Sequence, residues 1–199
     1  NPIQAGLDPA CFLIPASLSG PHQYLKILTV LEYEDWLKKQ SDKIQTWLKT
    51  LKFSPEVGKV VLIPQGEADL LALGIRGESL VDSLAALYDF LPSGDFVLLE
   101  EKTLNDFDLT QAVMGWALHA YKFERYKKRP AGHSSSKRLK ISNEKILETA
   151  LNYCRAHYLI RDLINTPADD MGPSELTQWA EKMAQELGAN QLECVKGQA

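Results

Sequence analysis

Val60-Val61-Leu62-Ile63-Pro64 and Asp69-Leu70-Leu71-Ala72-Leu73-Gly74-Ile75 are two nearly continuous apolar runs, separated only by Gln65-Gly66-Glu67-Ala68. Runs this short, aliphatic throughout and bounded by turn formers, spell strands rather than helices, and the spacer reads as a hairpin turn. Both runs are expected to be central strands of a sheet.

Working outward, the neighbouring segments alternate in type. Tyr24 to Leu31 follows the turn signal Gly20-Pro21 and reads as a strand. Leu37, Ile44, Trp47, Leu48 and Leu51 recur at helical spacing, which predicts an amphipathic helix over Asp35–Lys52, broken near Ser41 and lying on the sheet. Ser79–Asp89 reads as a short helix, and Asp95–Glu100, after Pro92-Ser93-Gly94, as a strand. A longer helix starts after Asn105 or Asp106 and carries Leu109, Ala112, Val113, Trp116, Ala120 and Phe123 on one face. This alternation predicts an α/β fold, with a mixed sheet flanked by helices.

From Tyr126 to Arg138 the composition changes to Pro, Gly, Ser and like charges, which cannot bury apolar area. The expected organisation is therefore a first domain over 1–127, a basic linker over 128–141 and the opening helices of a second α/β domain over 142–199. Ser142 or Asn143 caps the next helix, which runs to about Ile164 with two apolar stripes. One holds Ile146, Ala150, Tyr153, His157, Ile160 and Ile164; the other holds Leu147, Leu151, Cys154 and Tyr158. Pro167 ends this helix, and another begins at Pro173, shows Leu176, Trp179, Ala180, Met183 and Leu187 on one face, and stops at Gly188. Gln191–Lys196 reads as the start of a strand. Two helices this apolar expose more than they can cover alone, so they either dock on the first domain or are covered by further chain.

Composition excludes several classes of function. Of 199 residues, 45% are hydrophobic and 24% charged, which rules out general disorder. The longest aliphatic runs are far too short to span a membrane, and the first residues have no secretory-signal pattern. The chain begins at Asn1 without a methionine, which is the expected look of an excised segment. Cys11, Cys154 and Cys194 are odd in number and widely spaced, so they read as reduced, buried, structural thiols of a cytoplasmic protein.

Charge is unevenly placed. Between Lys122 and Lys140 eight bases (Lys122, Arg125, Lys127, Lys128, Arg129, Lys137, Arg138, Lys140) face the single acid Glu124; this window is +7, and the remainder carries −11 of the −4 total. With Tyr121, Phe123 and Tyr126 interleaved, the window has the ingredients of a nucleic-acid surface. The acidic remainder favours a solvated linker instead.

Catalytic motifs are missing. His22, His119, His133 and His157 are scattered, with no metal-ligand spacing among them and no nucleophile motif or phosphate loop elsewhere. Asp169 and Asp170 could in principle hold a hard cation, but their place between Pro167 and Pro173 reads as helix capping. Gly74-Ile75-Arg76-Gly77 reads as a loop bend.

One stretch carries a resemblance. Asp162-Leu163-Ile164-Asn165-Thr166-Pro167-Ala168-Asp169-Asp170-Met171-Gly172-Pro173 resembles the segment that opens the catalytic domain of the leucyl aminopeptidase (cytosol aminopeptidase) family, D-L-x-N-T-P-x-N-D-M-x-P. Asp169 departs from the family's Asn. Gly115-Trp116-Ala117-Leu118-His119-Ala120-Tyr121-Lys122-Phe123-Glu124-Arg125-Tyr126 is similar to the last helix of that family's N-terminal domain. The resemblance implies a three-layer N-terminal domain like a macro domain, ahead of a catalytic domain in which two divalent metals, Mn or Zn, activate water against N-terminal peptide bonds. It also implies peptide substrates, a homo-hexamer and a cytoplasmic location. The family's metal ligands and catalytic side chains lie in G-K-G-x-x-F-D-[ST]-G-G, K-x-D-M-G-G and N-T-D-A-E-G-R, and none of these occurs here. The expectation is a non-catalytic segment serving oligomerisation or access control, with no catalytic, cofactor or metal-binding residue of its own. The rivals are a free-standing macro-like module for a nucleotide or ADP-ribose, with Gly74–Gly77 as a poor phosphate loop, and nucleic-acid binding through Lys122–Lys140.

Overall fold

The computed structural model describes residues 8–66, 70–99, 104–127, 137–186, 188, 189 and 193. Six strands form one sheet: β1 (Leu13–Pro15), β2 (Gln23–Leu28), β3 (Val60–Pro64), β4 (Leu70–Ile75), β5 (Gly94–Leu98) and β6 (Lys137–Ile141). Their order across the sheet is β1-β6-β5-β2-β4-β3. Only β3 and β4 are antiparallel; the other pairings are parallel. The helices are α1 (Val30–Lys38), α2 (Asp42–Thr50), α3 (Leu80–Phe90), α4 (Asp106–Ala120), α5 (Glu144–Asn165) and α6 (Pro173–Glu186).

Side-chain alternation along the strands sorts the core into two layers. On one face Leu25, Ile27, Ala72, Phe96, Leu98, Leu139 and Ile141 meet α3, α4 and the first half of α5. Trp116 of α4 is wholly buried there, with Tyr88 edge-on at 5.0 Å and Phe96 at 5.8 Å. On the other face Leu28, Val61, Ile63, Leu71, Leu73 and Ile75 meet Tyr33 of α1, Leu48 of α2 and Phe53. The expected sheet between helices is therefore present. Helices α3 and α4 cross so closely that a Cβ on Gly115 would lie 1.8 Å from the Val81 carbonyl oxygen.

Several expectations are corrected. β3 is an edge strand, not a central one, because nothing beyond it in the described chain pairs with its outer side. The hairpin spacer lies partly outside the described residues. The strand expected to reach Leu31 stops at Leu28, because Thr29 and Glu32 form a capping box that starts α1. The break expected near Ser41 splits Asp35–Lys52 into two helices, and α4 ends at Ala120, so Phe123 is not helical. Leu13–Pro15 is a strand that periodicity could not reveal in three residues.

The largest correction concerns the linker. Lys137–Ile141, expected to be solvated, is strand β6 between β1 and β5. Leu139 and Ile141 enter the core, while Arg138 and Lys140 point to the opposite face and share Asp95. Contacts divide the chain into two compact units, with the division after Tyr158, inside α5. Of the two stripes on α5, Ile146, Leu147, Ala150, Cys154 and Tyr158 are buried, whereas Tyr153, His157, Ile160 and Ile164 are exposed. Cys154 is buried as expected, but Cys11 is exposed on a short 3-10 turn at Pro9–Cys11. Cys194 and the strand expected near Gln191–Lys196 lie outside the described residues, Glu193 apart.

Candidate functional site

In a sheet of this kind ligands favour the carboxyl ends of the parallel strands, where helix N-termini collect. Here α1, α3, α4 and α5 begin at those ends, after β2, β4, β5 and β6. Each N-terminus is occupied or flanked by acid. The Glu32 carboxylate accepts hydrogen bonds from the Thr29 N–H and hydroxyl, both at 2.8 Å, and the Thr29 hydroxyl accepts from the Glu32 N–H at 3.2 Å. These bonds hold the Glu32 carboxyl below its ordinary value, the backbone bond most strongly, with Arg76 and Lys26 adding to the effect. On α4 Asn105 accepts from the Asp108 N–H at 2.9 Å, and Asp106 and Asp108 sit in the first turn. Asp82 and Glu144 take the same place on α3 and α5.

An anion approaching any one of these helix starts would meet an acid in its first turn, with Arg76 and Lys26 as counter-charges beside Glu32. The loop after β4 is not open either. Gly74 and Ile75 belong to β4, and a Cβ on Gly77 would stand 3.3 Å from Val57. The loop-bend reading of Gly74–Gly77 therefore holds only for Arg76 and Gly77. The nucleotide-module rival has little to stand on at this rim.

Three of the eight bases of the window, Lys137, Arg138 and Lys140, are engaged by the fold. Arg138 grips Asp95 with two bonds, Nε at 2.7 Å and Nη2 at 3.0 Å. Lys140 is 3% exposed and reaches Asp95 at 3.5 Å and the Gly20 carbonyl at 3.2 Å. Lys137 donates to the Tyr88 carbonyl at 2.6 Å and lies 4.7 Å over the Tyr88 ring. Burial pulls its ammonium below the usual lysine range, Lys122 adding and Asp89 opposing. Arg125 stacks on Tyr126 at 5.3 Å; Lys128, Arg129 and His133 lie outside the described residues. Asp95 is the functional partner that sequence reading missed, since nothing in its local pattern links it to bases some forty residues later.

His119 pairs with Asp89 at 3.0 Å and packs on Tyr88, a bond between α4 and α3. His22 packs edge-on against Tyr24, and His157 is exposed on α5. The structure brings none of these histidines together with the others.

The motif after α5 is built around a helix end. The Asp162 carbonyl accepts from both the Thr166 N–H, at 3.0 Å, and its hydroxyl, at 2.6 Å. Pro167 then prevents continuation, and the Asp170 N–H turns back to the Pro167 carbonyl at 2.9 Å. Asp169 and Asp170 were expected to cap the next helix. At the start of α6 the Glu175 carboxylate accepts from the Gly172 N–H at 3.0 Å. Among the described residues no group of three His, Cys, Asp or Glu side chains could hold a metal ion.

Comparison with known proteins indicates what the chain belongs to. The profile of the N-terminal domain of M17 aminopeptidases matches residues 24–139, more than half of the chain. This chain belongs to the M17 aminopeptidase family. It is 32% identical over 165 residues to the "probable cytosol aminopeptidase" of Wolinella succinogenes, covering 71% of this chain and 32% of that one. The crystal structure of the Coxiella burnetii cytosol aminopeptidase superposes with a TM-score of 0.77 at 29% identity, over 89% of this chain and 38% of that one. The bottromycin maturation enzyme BotP in complex with Mn shares the fold, with a TM-score of 0.63 at 15% identity over 85% and 37% of the two chains. The chain thus spans about a third of the length of the M17 relatives it matches. Residues 24–139 correspond to the N-terminal domain of the family, and the sheet with its two helical layers is the fold of that domain.

Proposed function

We propose that this chain is the non-catalytic N-terminal part of a leucyl aminopeptidase, a cytoplasmic exopeptidase that removes N-terminal residues from peptides with two divalent metal ions, Mn or Zn. The observation that carries the reading is the match of residues 24–139 to the M17 N-terminal domain, followed in sequence by the Asp162–Pro173 motif. The manganese named with BotP and the word cytosol in the relatives' names support the metal and the location. No described helix is long and apolar enough to cross a membrane. The metal ligands would lie in further chain, because the described residues contain no ligand set for them, and no chemical step is assigned to these side chains.

With β6 inside the sheet, we place the end of the N-terminal domain at Ile141 rather than Lys127, and take the helices after it as the opening of the catalytic domain. The role of the segment is oligomerisation, as one face of a homo-hexamer, or control of access to the active site. The exposed α5 residues Ile160 and Ile164 are surfaces for further chain to cover.

The test is an assay of this 199-residue chain and of its longer gene product with a chromogenic leucine amide, with Mn or Zn supplied. The expected result is no turnover by the short chain and chelator-sensitive turnover by the long one. Metal-dependent leucine release by the short chain, or a native gene product of 22.3 kDa, overturns the reading.

A further inference from the structure

Among the described residues β3 closes one side of the sheet, and an open edge is a template for another strand. The register defines what the edge offers. The Ile75 N–H donates to the Lys59 carbonyl at 2.9 Å and the Gly58 N–H to the Ile75 carbonyl at 2.8 Å, with Val61 opposite Leu73 and Ile63 opposite Leu71. In an antiparallel ladder alternate residues face the partner, so Val60 and Leu62 turn their N–H and C=O groups outward.

The outward carbonyl of Leu62 is occupied. The Trp47 indole N–H, from α2, donates to it at 3.2 Å. Trp47 is 40% exposed and lines a shallow groove of about 450 Å³ with Ile44, Ile63 and Pro64. Part of the ring is buried in the groove, and the hydrogen bond gives it a fixed position across the strand edge. Two residues further on, Pro64 has no N–H to offer. At the far side of the sheet β1 is only three residues long and also ends in proline. Both edges are thus blunted, β3 by a side chain sent from a different element.

We propose that Trp47 guards the β3 edge against a second copy of this chain. Two β3 strands pairing antiparallel about a two-fold axis would need the outward groups of Val60 and Leu62 on both sides. The indole removes one acceptor from each copy and stands where the incoming strand would run.

Trp47→Phe keeps a ring in the groove but lacks the N–H; Trp47→Ala also removes the cover. Both are compared with the unaltered chain by sedimentation velocity over a range of concentrations, and by hydrogen exchange at the Val60 and Leu62 amides. The expected result is self-association stronger by on the order of tenfold in Trp47→Phe, about the worth of two ordinary hydrogen bonds in a two-fold pair, and stronger again in Trp47→Ala. In the variants alone the Leu62 amide should exchange more slowly as protein concentration rises. The proposal is overturned if folded Trp47→Phe associates no more than the unaltered chain, or if it associates while the Leu62 amide is indifferent to concentration. Should Trp47→Ala fail to fold, Trp47→Phe decides the matter alone.

Discussion

Gly115→Ala should unfold this domain more easily, although the same change in an isolated helix would strengthen it. Alanine is better than glycine in a helix interior by about 1 kcal/mol, so propensity alone predicts a gain. The position sits where α4 passes α3, however, and the added Cβ would stand 1.8 Å from the Val81 carbonyl oxygen and 2.7 Å from its carbon. Those atoms are backbone and cannot rotate away, so the two helices must part by roughly an ångström in a core packed at crystal density. Overpacking of this kind costs about 1–3 kcal/mol. Parting the helices also loosens Leu84, Leu87 and Trp116, all wholly buried. With roughly 2 kcal/mol more from that loosened packing and about 1 kcal/mol of helix propensity regained, a net loss of about 2–4 kcal/mol follows, which at about 2–4 °C per kcal/mol lowers the melting temperature by roughly 4–16 °C. Urea titration followed in parallel by tryptophan fluorescence and far-UV circular dichroism measures it, with Gly66→Ala as the control, since nothing stands within 4 Å of its added Cβ. A midpoint for Gly115→Ala at or above that of the unaltered chain would refute the close-approach reasoning.

Asp95→Asn removes the acid that Arg138 and Lys140 share, leaving Lys140 buried with a carbonyl as its main partner; because Arg138 is half-exposed and screened, the expected loss is about 2–3 kcal/mol, below the full range for a buried pair. Adding Lys140→Met should recover part of that loss in the double variant, and additive losses would disprove the coupling. Thr29→Ala breaks the capping box and should cost about 1 kcal/mol in the same denaturation assay. Because the Glu32 carboxyl is held below its ordinary 4.5 in the folded chain, its contribution is complete above that value and fades as pH falls through the lowered one; Glu32→Gln should flatten the acid side of the stability profile, and an unchanged slope would contradict it. Ile146→Ala, at a site 3% exposed, should cost about 2–4 kcal/mol, whereas Ile164→Ala, at a site 76% exposed, should stay within about 0.5 kcal/mol in this chain and become costly only in its longer product.

Much of this was legible along the chain. The apolar runs at Val60–Ile63 and Leu70–Ile75 announce strands because burial on both faces demands continuous aliphatics. The helix holding Leu109, Val113 and Trp116 announces itself because one face must match a period of 3.6. Pro167 ends α5 through its missing N–H, a fact of covalent structure. The family was legible too, through the resemblance of Asp162–Pro173 and of Gly115–Tyr126 to its motifs.

What stayed hidden depended on partners distant in sequence. Lys137-Arg138-Leu139-Lys140-Ile141 looks like solvated linker until Asp95 lies beside it to neutralise the bases and the core lies on the other side to take Leu139 and Ile141. Whether β3 is central or an edge cannot be read from its own residues, because neighbours in a sheet are set by topology. The rim after the parallel strands is a place for ligands by fold alone, and only the tertiary structure shows that each helix starting there carries an acid, Glu32, Asp82, Asp106 and Asp108, or Glu144, in its first turn. Short-range periodicity determines which segments are strands and helices; the pairing of charges and the order of strands arise from contacts across the folded chain, where distance along the sequence carries no information.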